Sequence, residues 1–151
     1  MAGSWASGQL DYAGDVTSDE AFRRLSDDPA AVLVDVRTRA EWTFVGLPDL
    51  TGLGRTPILI EWQRYPEMSI DEDFVDRLER ELALAGAGRD STILFLCRSG
   101  GRSAAAARAL AARGYEACLN ISDGFEGPAD ALGHRGTVAG WKARGLPWRQ
   151  G

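Results

Sequence analysis

The stretch Ile93–Leu110, ILFLCRSGGRSAAAARAL, decides how this chain is read. An apolar run ends on a cysteine, a short segment with two glycines and two arginines follows, and strong helix formers begin at once. Buried strand, tight loop and helix in that order is the repeating unit of a parallel sheet with helices packed on it. The run is continuously apolar rather than alternating, as a strand covered on both faces must be.

Three further runs have the same character as Thr92–Leu96: Ala31–Val36 (AVLVDV), Pro57–Ile60 (PILI) and Ala117–Ile121 (ACLNI). Thr17 with Glu20, Thr38 with Glu41 and Ser69 with Glu72 have capping-box spacing, in which a hydroxyl and a carboxylate satisfy the first free amides of a helix. Phe74, Val75, Leu78 and Leu82 share one face of the third helix. Ser103–Arg113 is nearly ideal helix composition, closed by Gly114. The expected fold is α/β: a three-layer arrangement with a central, mostly parallel sheet, helices on both faces and right-handed crossovers. It spans 1–151 as a single domain, with 1–14 as an irregular N-terminal extension.

Ligands bind such sheets beyond the carboxyl ends of the strands. Four segments should gather there: Asp35–Trp42, Glu61–Pro66, Cys97–Ser103 and Ser122–Pro128. Trp42, Trp62 and Tyr65 belong to this rim, as core packing, as a substrate wall or as an interface. Gly46–Thr56 is either a plain connector or part of a lid.

With 151 residues, 44% of them hydrophobic, the chain can bury one ordinary core. A net charge of -5 without a basic stripe argues against nucleic acid as a partner. The chain has no signal-peptide pattern and no membrane-length apolar run, so a soluble, cytoplasmic protein with no membrane partner is expected. Cys97 and Cys118 are too few for a disulfide framework or a thiolate metal site, so no metal is expected. His134 is the single histidine and lies in a polar, loop-like stretch, which makes it a poor candidate for activating a cysteine.

The turn from Leu96 into the helix at Ser103 passes through five residues, Arg98 to Arg102, and Gly100 and Gly101 relieve the steric limit on so sharp a bend. Backbone amides in such a loop converge, and the helix behind them adds its positive end, so the segment is an anion cradle. Arg98 and Arg102 add two permanent charges. A thiol at the base of that cradle is stabilised as thiolate, the form that acts as a nucleophile, whereas a cysteine that merely fills core space needs neither glycines nor arginines beside it.

CRSGGRS after an apolar strand, preceded by LVDVRTRAEW (Leu33–Trp42) and followed by NISDGFEGP (Asn120–Pro128), resembles the rhodanese-like family of single-domain sulfurtransferases. The ending GWKARGLPW, Gly140–Trp148, is similar to that of bacterial members. The resemblance implies a rhodanese-like three-layer fold and a two-step transfer. Cys97 takes the outer sulfur of a donor such as thiosulfate as a persulfide and passes it to a thiophilic acceptor. Arg98, Ser99, Gly100, Gly101, Arg102 and Ser103 would bind the substrate, and Asp35 and Arg37 would brace the loop. A protein persulfide donor or acceptor is compatible with this, and the resemblance implies that no cofactor is needed. The sequence departs from the family in carrying FVGLPDL, with no histidine, after the first strand, and in a single glycine, Gly124, after the last.

Two other readings remain. Phosphatases and arsenate-type enzymes use a related cradle, but those sharing this resemblance have one more residue between cysteine and arginine than the four found here, and no aspartate stands out as a general acid, Asp123 being the alternative assignment. A rhodanese-like docking module without chemistry is the third reading, against which the intact Cys97 stands. Cys118, in mid-strand, is an inert buried thiol or a resolving partner for Cys97.

Overall fold

The apolar runs become neighbouring strands of one sheet. In the computed structural model, which describes residues 11–64, 69–70 and 73–150, β1 (Gly14–Val16) leads to α1 (Ser18–Asp27), β2 (Val32–Asp35) and α2 (Arg39–Phe44). β3 (Leu47–Pro48), a 3-10 turn (Thr51–Leu53), β4 (Ile58–Leu59), β5 (Gln63–Arg64) and β6 (Ser69–Ile70) follow. α3 (Phe74–Leu84), β7 (Thr92–Leu96), α4 (Gly101–Ala111), β8 (Ala117–Ile121) and β9 (Trp148–Arg149) complete the chain. The main sheet has the order β1-β8-β7-β2-β4, with every pairing parallel.

Alternation along β7 assigns its side chains to two cores. Ile93, Phe95 and Cys97 pack with Phe74, Leu78 and Leu82 of α3 and with Ala106, Ala107 and Leu110 of α4. Leu94 and Leu96 face the other way, onto Ala21 and Leu25 of α1 together with Leu50, Phe125 and Trp141. Each core is fully buried, and the sheet lies between helices as expected. The same alternation turns the Cys97 side chain toward the start of α4.

The structure corrects several expectations. The sheet has a fifth strand, β1, so the segment before residue 15 is not wholly irregular: Gly14 pairs with Leu119. Ser69 lies in β6 and does not cap α3, whose N-cap is Asp73; Glu72 and Tyr65 lie outside the described residues. α4 begins at Gly101, two residues before Ser103. Of the two readings of Gly46–Thr56, the contacts favour the connector: β3 pairs with β9, Leu50 is buried, and Arg55 donates to the carbonyls of Asp28, Ala31 and Leu25. Among the described residues, no helix is long and apolar enough to cross a membrane.

Candidate active site

Parallel register brings the carboxyl ends of three strands to one rim, with Asp35 opposite Leu96 and Phe95 opposite Asn120. The cysteine loop leaves β7 there and is held from the β8 side. Phe125 N donates to the Cys97 carbonyl at 2.8 Å, and Glu126 N and Gly127 N donate to the Arg98 carbonyl at 3.0 and 3.1 Å. This close approach requires Gly124, whose φ is +65° and where a Cβ would come within 2.3 Å of the Arg98 carbonyl oxygen.

Within the loop Gly100 N donates to Cys97 Sγ at 3.1 Å. Gly100 has φ +104°, and an added Cβ would lie 2.5 Å from the Ser122 carbonyl oxygen. Gly101 meets nothing within 4 Å, so only one member of the glycine pair is sterically obligatory. Gly100 is also the N-cap of α4, and no side chain caps the helix. The Gly100 amide is thus aimed at the sulfur at the positive end of a helix that no side chain caps.

The buried Ser103 side chain also touches the sulfur, with Oγ 3.1 Å from Cys97 Sγ. The same hydroxyl is 2.5 Å from Asn120 Oδ1, and Asn120 Nδ2 donates to Asp15 Oδ1 at 3.0 Å. Asn120 is a site residue that sequence reasoning missed, because it sits in an otherwise apolar strand. Cys97 itself is 1% exposed, at the floor of the loop.

Asp35 and Arg37 are both fully buried and form a multiply hydrogen-bonded pair. Arg37 Nη2 donates to Asp35 Oδ2 at 2.7 Å, and Arg37 Nε donates to both carboxylate oxygens. Arg37 Nη2 also donates to the Gly46 carbonyl, and the guanidinium lies 4.2 Å from the Phe125 ring centroid. The pair thus connects β2 with the Gly46–Thr56 connector and with the segment that holds Cys97. Nη1 is buried without a hydrogen-bond partner among the described residues, and the Phe125 face compensates part of that loss.

The two loop arginines differ. Arg98 is exposed and no carboxylate among the described residues pairs with it, whereas Arg102 makes a bidentate pair with Glu41 of α2. Nη1 donates to Oε1 at 2.7 Å and Nη2 to Oε2 at 2.9 Å. Glu41 also accepts from Thr38 N and Thr38 Oγ1, completing the expected capping box. Burial alone would raise the Glu41 pKa; the hydrogen bonds from Arg102 and Thr38 outweigh it and hold the carboxyl at about 2. The expectation of two free charges at the mouth is therefore corrected to one.

A cavity of about 630 Å³ opens over the loop, its walls including Thr38, Glu41, Gln63, Arg98, Arg102 and Glu126. Of the aromatic residues assigned to the rim, Trp62 packs edge-on against Phe74 at 4.9 Å, as core, and Trp42 is not among the residues lining this cavity. His134 lies in an exposed loop, its amide bonded to Asp130. Asp123 accepts from Ser18 N, Ser18 Oγ, Gly140 N and Arg144 Nε, tying α1 to the C-terminal segment. Cys118 pairs in register with Ile93, four residues before Cys97, which puts the two Cα atoms roughly 13 Å apart along the strands, beyond the ~7 Å reach of a disulfide. Burial pushes the Cys118 thiol up to about 12, so it stays protonated.

A parallel five-stranded sheet covered by helices, with a cysteine loop running into a helix at its carboxyl rim, is the rhodanese-like fold. The chain belongs to the STR4 middle domain family, whose model matches residues 13–151. It is 39% identical over 134 residues to the uncharacterized protein RC0915 of Rickettsia conorii, covering 89% of this chain and 95% of that one. It is 27% identical over 133 residues to a protein of Allochromatium vinosum named "Sulfurtransferase", covering 88% and 92%. The crystal structure of Rv0390 from M. tuberculosis superposes with a TM-score of 0.83 at 48% identity, over 93% of this chain and 99% of that one. The rhodanese-like domain protein from Staphylococcus aureus matches with a TM-score of 0.51 at 21% identity, over 89% and 93%, and bears on the fold alone.

Proposed function

We propose that this chain is a sulfurtransferase that moves a sulfane sulfur from thiosulfate or a persulfide donor, small or protein-borne, to a thiophilic acceptor through a persulfide on Cys97. The observation that carries this reading is the placement of Cys97 Sγ 3.1 Å from the Gly100 amide, beneath the uncapped start of α4. An amide cradle favours negative sulfur, both the attacking thiolate and the terminal sulfur of the persulfide formed. With thiosulfate, Cys97–S⁻ attacks the outer sulfur, the sulfur–sulfur bond breaks, and sulfite leaves with the electron pair, giving Cys97–S–S⁻. The acceptor then takes the terminal sulfur and regenerates the thiolate. Each step is a displacement at sulfur, so one awkward exchange becomes two easier ones. Arg98, at the mouth and without a carboxylate partner among the described residues, supplies the attraction for an anionic donor. A reducing compartment such as the cytoplasm suits a thiol that must stay free.

Asp123, the aspartate a phosphatase would need as general acid, is occupied by four donors between α1 and the C-terminal segment, which counts against that chemistry. The test pairs the two assays. Thiocyanate formation from thiosulfate and cyanide, lost in Cys97→Ser, is the expected result. Hydrolysis of an aryl phosphate without thiocyanate formation would replace this reading with the phosphatase, and absence of both activities would leave a docking module.

A further inference from the structure

We propose that Glu41 is a specificity-determining residue: by engaging Arg102 it makes the cleft over Cys97 selective for the singly charged persulfide of an amino-acid-type thiol over doubly charged thiosulfate. This rests on the sulfurtransferase reading and narrows its donor.

Four charged side chains, Glu41, Arg98, Arg102 and Glu126, line the cavity. Arg102 is the nearer arginine to the helix start, yet both its terminal nitrogens are bonded to the two oxygens of Glu41, at 2.7 and 2.9 Å. Glu41 is fixed in turn by Thr38 N and Thr38 Oγ1, so the carboxylate cannot swing aside without undoing the start of α2. Two cavity-lining charges remain without an ion-pair partner among the described residues, Arg98 and Glu126. One cation, one anion and a closed pair give a mouth with no net charge.

A dianion entering such a mouth finds one free guanidinium, Arg98, and one free carboxylate, Glu126, so its second charge is left without a partner. A molecule carrying an α-carboxylate and an α-ammonium finds a partner of opposite sign for each, Arg98 for the first and Glu126 for the second. The cavity, at about 630 Å³, also has far more room than a small oxyanion uses, and its walls include the Thr38 and Gln63 side chains. The chemistry balances for this donor. The persulfide, R–S–S⁻ in solution, reacts as R–S–S–H: Cys97–S⁻ attacks its terminal sulfur, the sulfur–sulfur bond breaks, R–S⁻ leaves with the electron pair and takes up the proton, and Cys97–S–S⁻ forms.

The experiment measures kcat/KM for sulfur loading of Cys97 from two donors, thiosulfate and cysteine persulfide, in the wild type, Glu41→Gln and Glu41→Gln/Arg102→Gln. Glutamine still serves the capping box, so the first variant keeps the start of α2. The ratio of the two donors within one enzyme, compared across variants, cancels their different intrinsic reactivities. Releasing Arg102 in Glu41→Gln should lower KM for thiosulfate with kcat unchanged, raising kcat/KM about tenfold, the size of one added charge contact. The value for cysteine persulfide should change less than about twofold, and the thiosulfate gain should vanish in the double variant. An unchanged donor ratio in Glu41→Gln, or a gain that survives loss of Arg102, overturns the assignment of Glu41 while leaving the sulfurtransferase reading standing. Failure of both donors to load the wild type overturns that reading and this one together.

Discussion

Ser103 Oγ stands between Asn120 Oδ1 at 2.5 Å and Cys97 Sγ at 3.1 Å. Asn120 presents its oxygen to Ser103 because its amide nitrogen is committed to Asp15. A hydroxyl has one proton, and a carbonyl oxygen can only accept, so the proton points at Asn120 while Cys97 is a thiol donating to Ser103. Once the sulfur is ionised, the same proton can turn toward it. Ser103 is thus poised to answer a change of charge on Cys97 without any movement of backbone. Ser103→Ala should slow sulfur loading about tenfold and, by leaving Asn120 Oδ1 without its donor inside the core, lower stability by about 1–3 kcal/mol. Loading kinetics and urea unfolding of the same preparation separate the two effects.

The adjacent glycines should behave oppositely. Gly100→Ala drives a Cβ into the Ser122 carbonyl and strains a backbone at φ +104°, so it should distort the loop and abolish loading. Gly101→Ala, at the first residue of α4 with open space around it, should load normally and stabilise the protein by about 0.5–1 kcal/mol. Thermal unfolding and sulfur uptake measured together check the contrast.

Much of this was legible in the chain, and the omissions have physical causes. Continuous apolar runs mark β2, β7 and β8 because strands covered on both faces tolerate nothing else. β1 was not legible: Gly14, Asp15 and Val16 are too few to show a period, and pairing with β8 makes them a strand. Ser69 matched a helix-start pattern that pairing with β5 overrode. The cysteine loop could be located from its glycines and its helix, but not the fate of Arg102, whose partner is 61 residues away in sequence and joins it only through the fold. Asn120 was hidden for the same reason, since its two partners lie on β1 and α4.

The Asp35–Arg37 pair should be structural at high cost. Arg37→Met leaves the Asp35 carboxylate buried with no counter-charge and frees the Gly46 carbonyl, so it should destabilise by about 3–5 kcal/mol. The double variant Asp35→Leu/Arg37→Met, which removes both charges, should recover a large part of that loss. Urea midpoints for the three proteins measure it.

The Glu41–Arg102 pair should leave a pH signature. The Glu41 carboxyl titrates at about 2 in the folded protein against an ordinary value of 4.5, so the folded state favours its ionised form. Its contribution is fully present above about pH 4.5 and is lost as pH falls toward 2. The stability difference between the wild type and Glu41→Gln should therefore be constant from neutral pH down to about 4.5 and shrink below it. Chemical unfolding of both proteins across that range tests the sign.

The central claim is that Cys97 carries the transferred sulfur. The most direct measurement is the intact mass of the protein after exposure to thiosulfate or cysteine persulfide and removal of the donor. The account predicts a gain of one sulfur, about 32 Da, in the wild type and in Cys118→Ala, released by cyanide, and no gain in Cys97→Ser. A wild type that gains no mass from either donor, or a Cys97→Ser protein that gains as much, would contradict it.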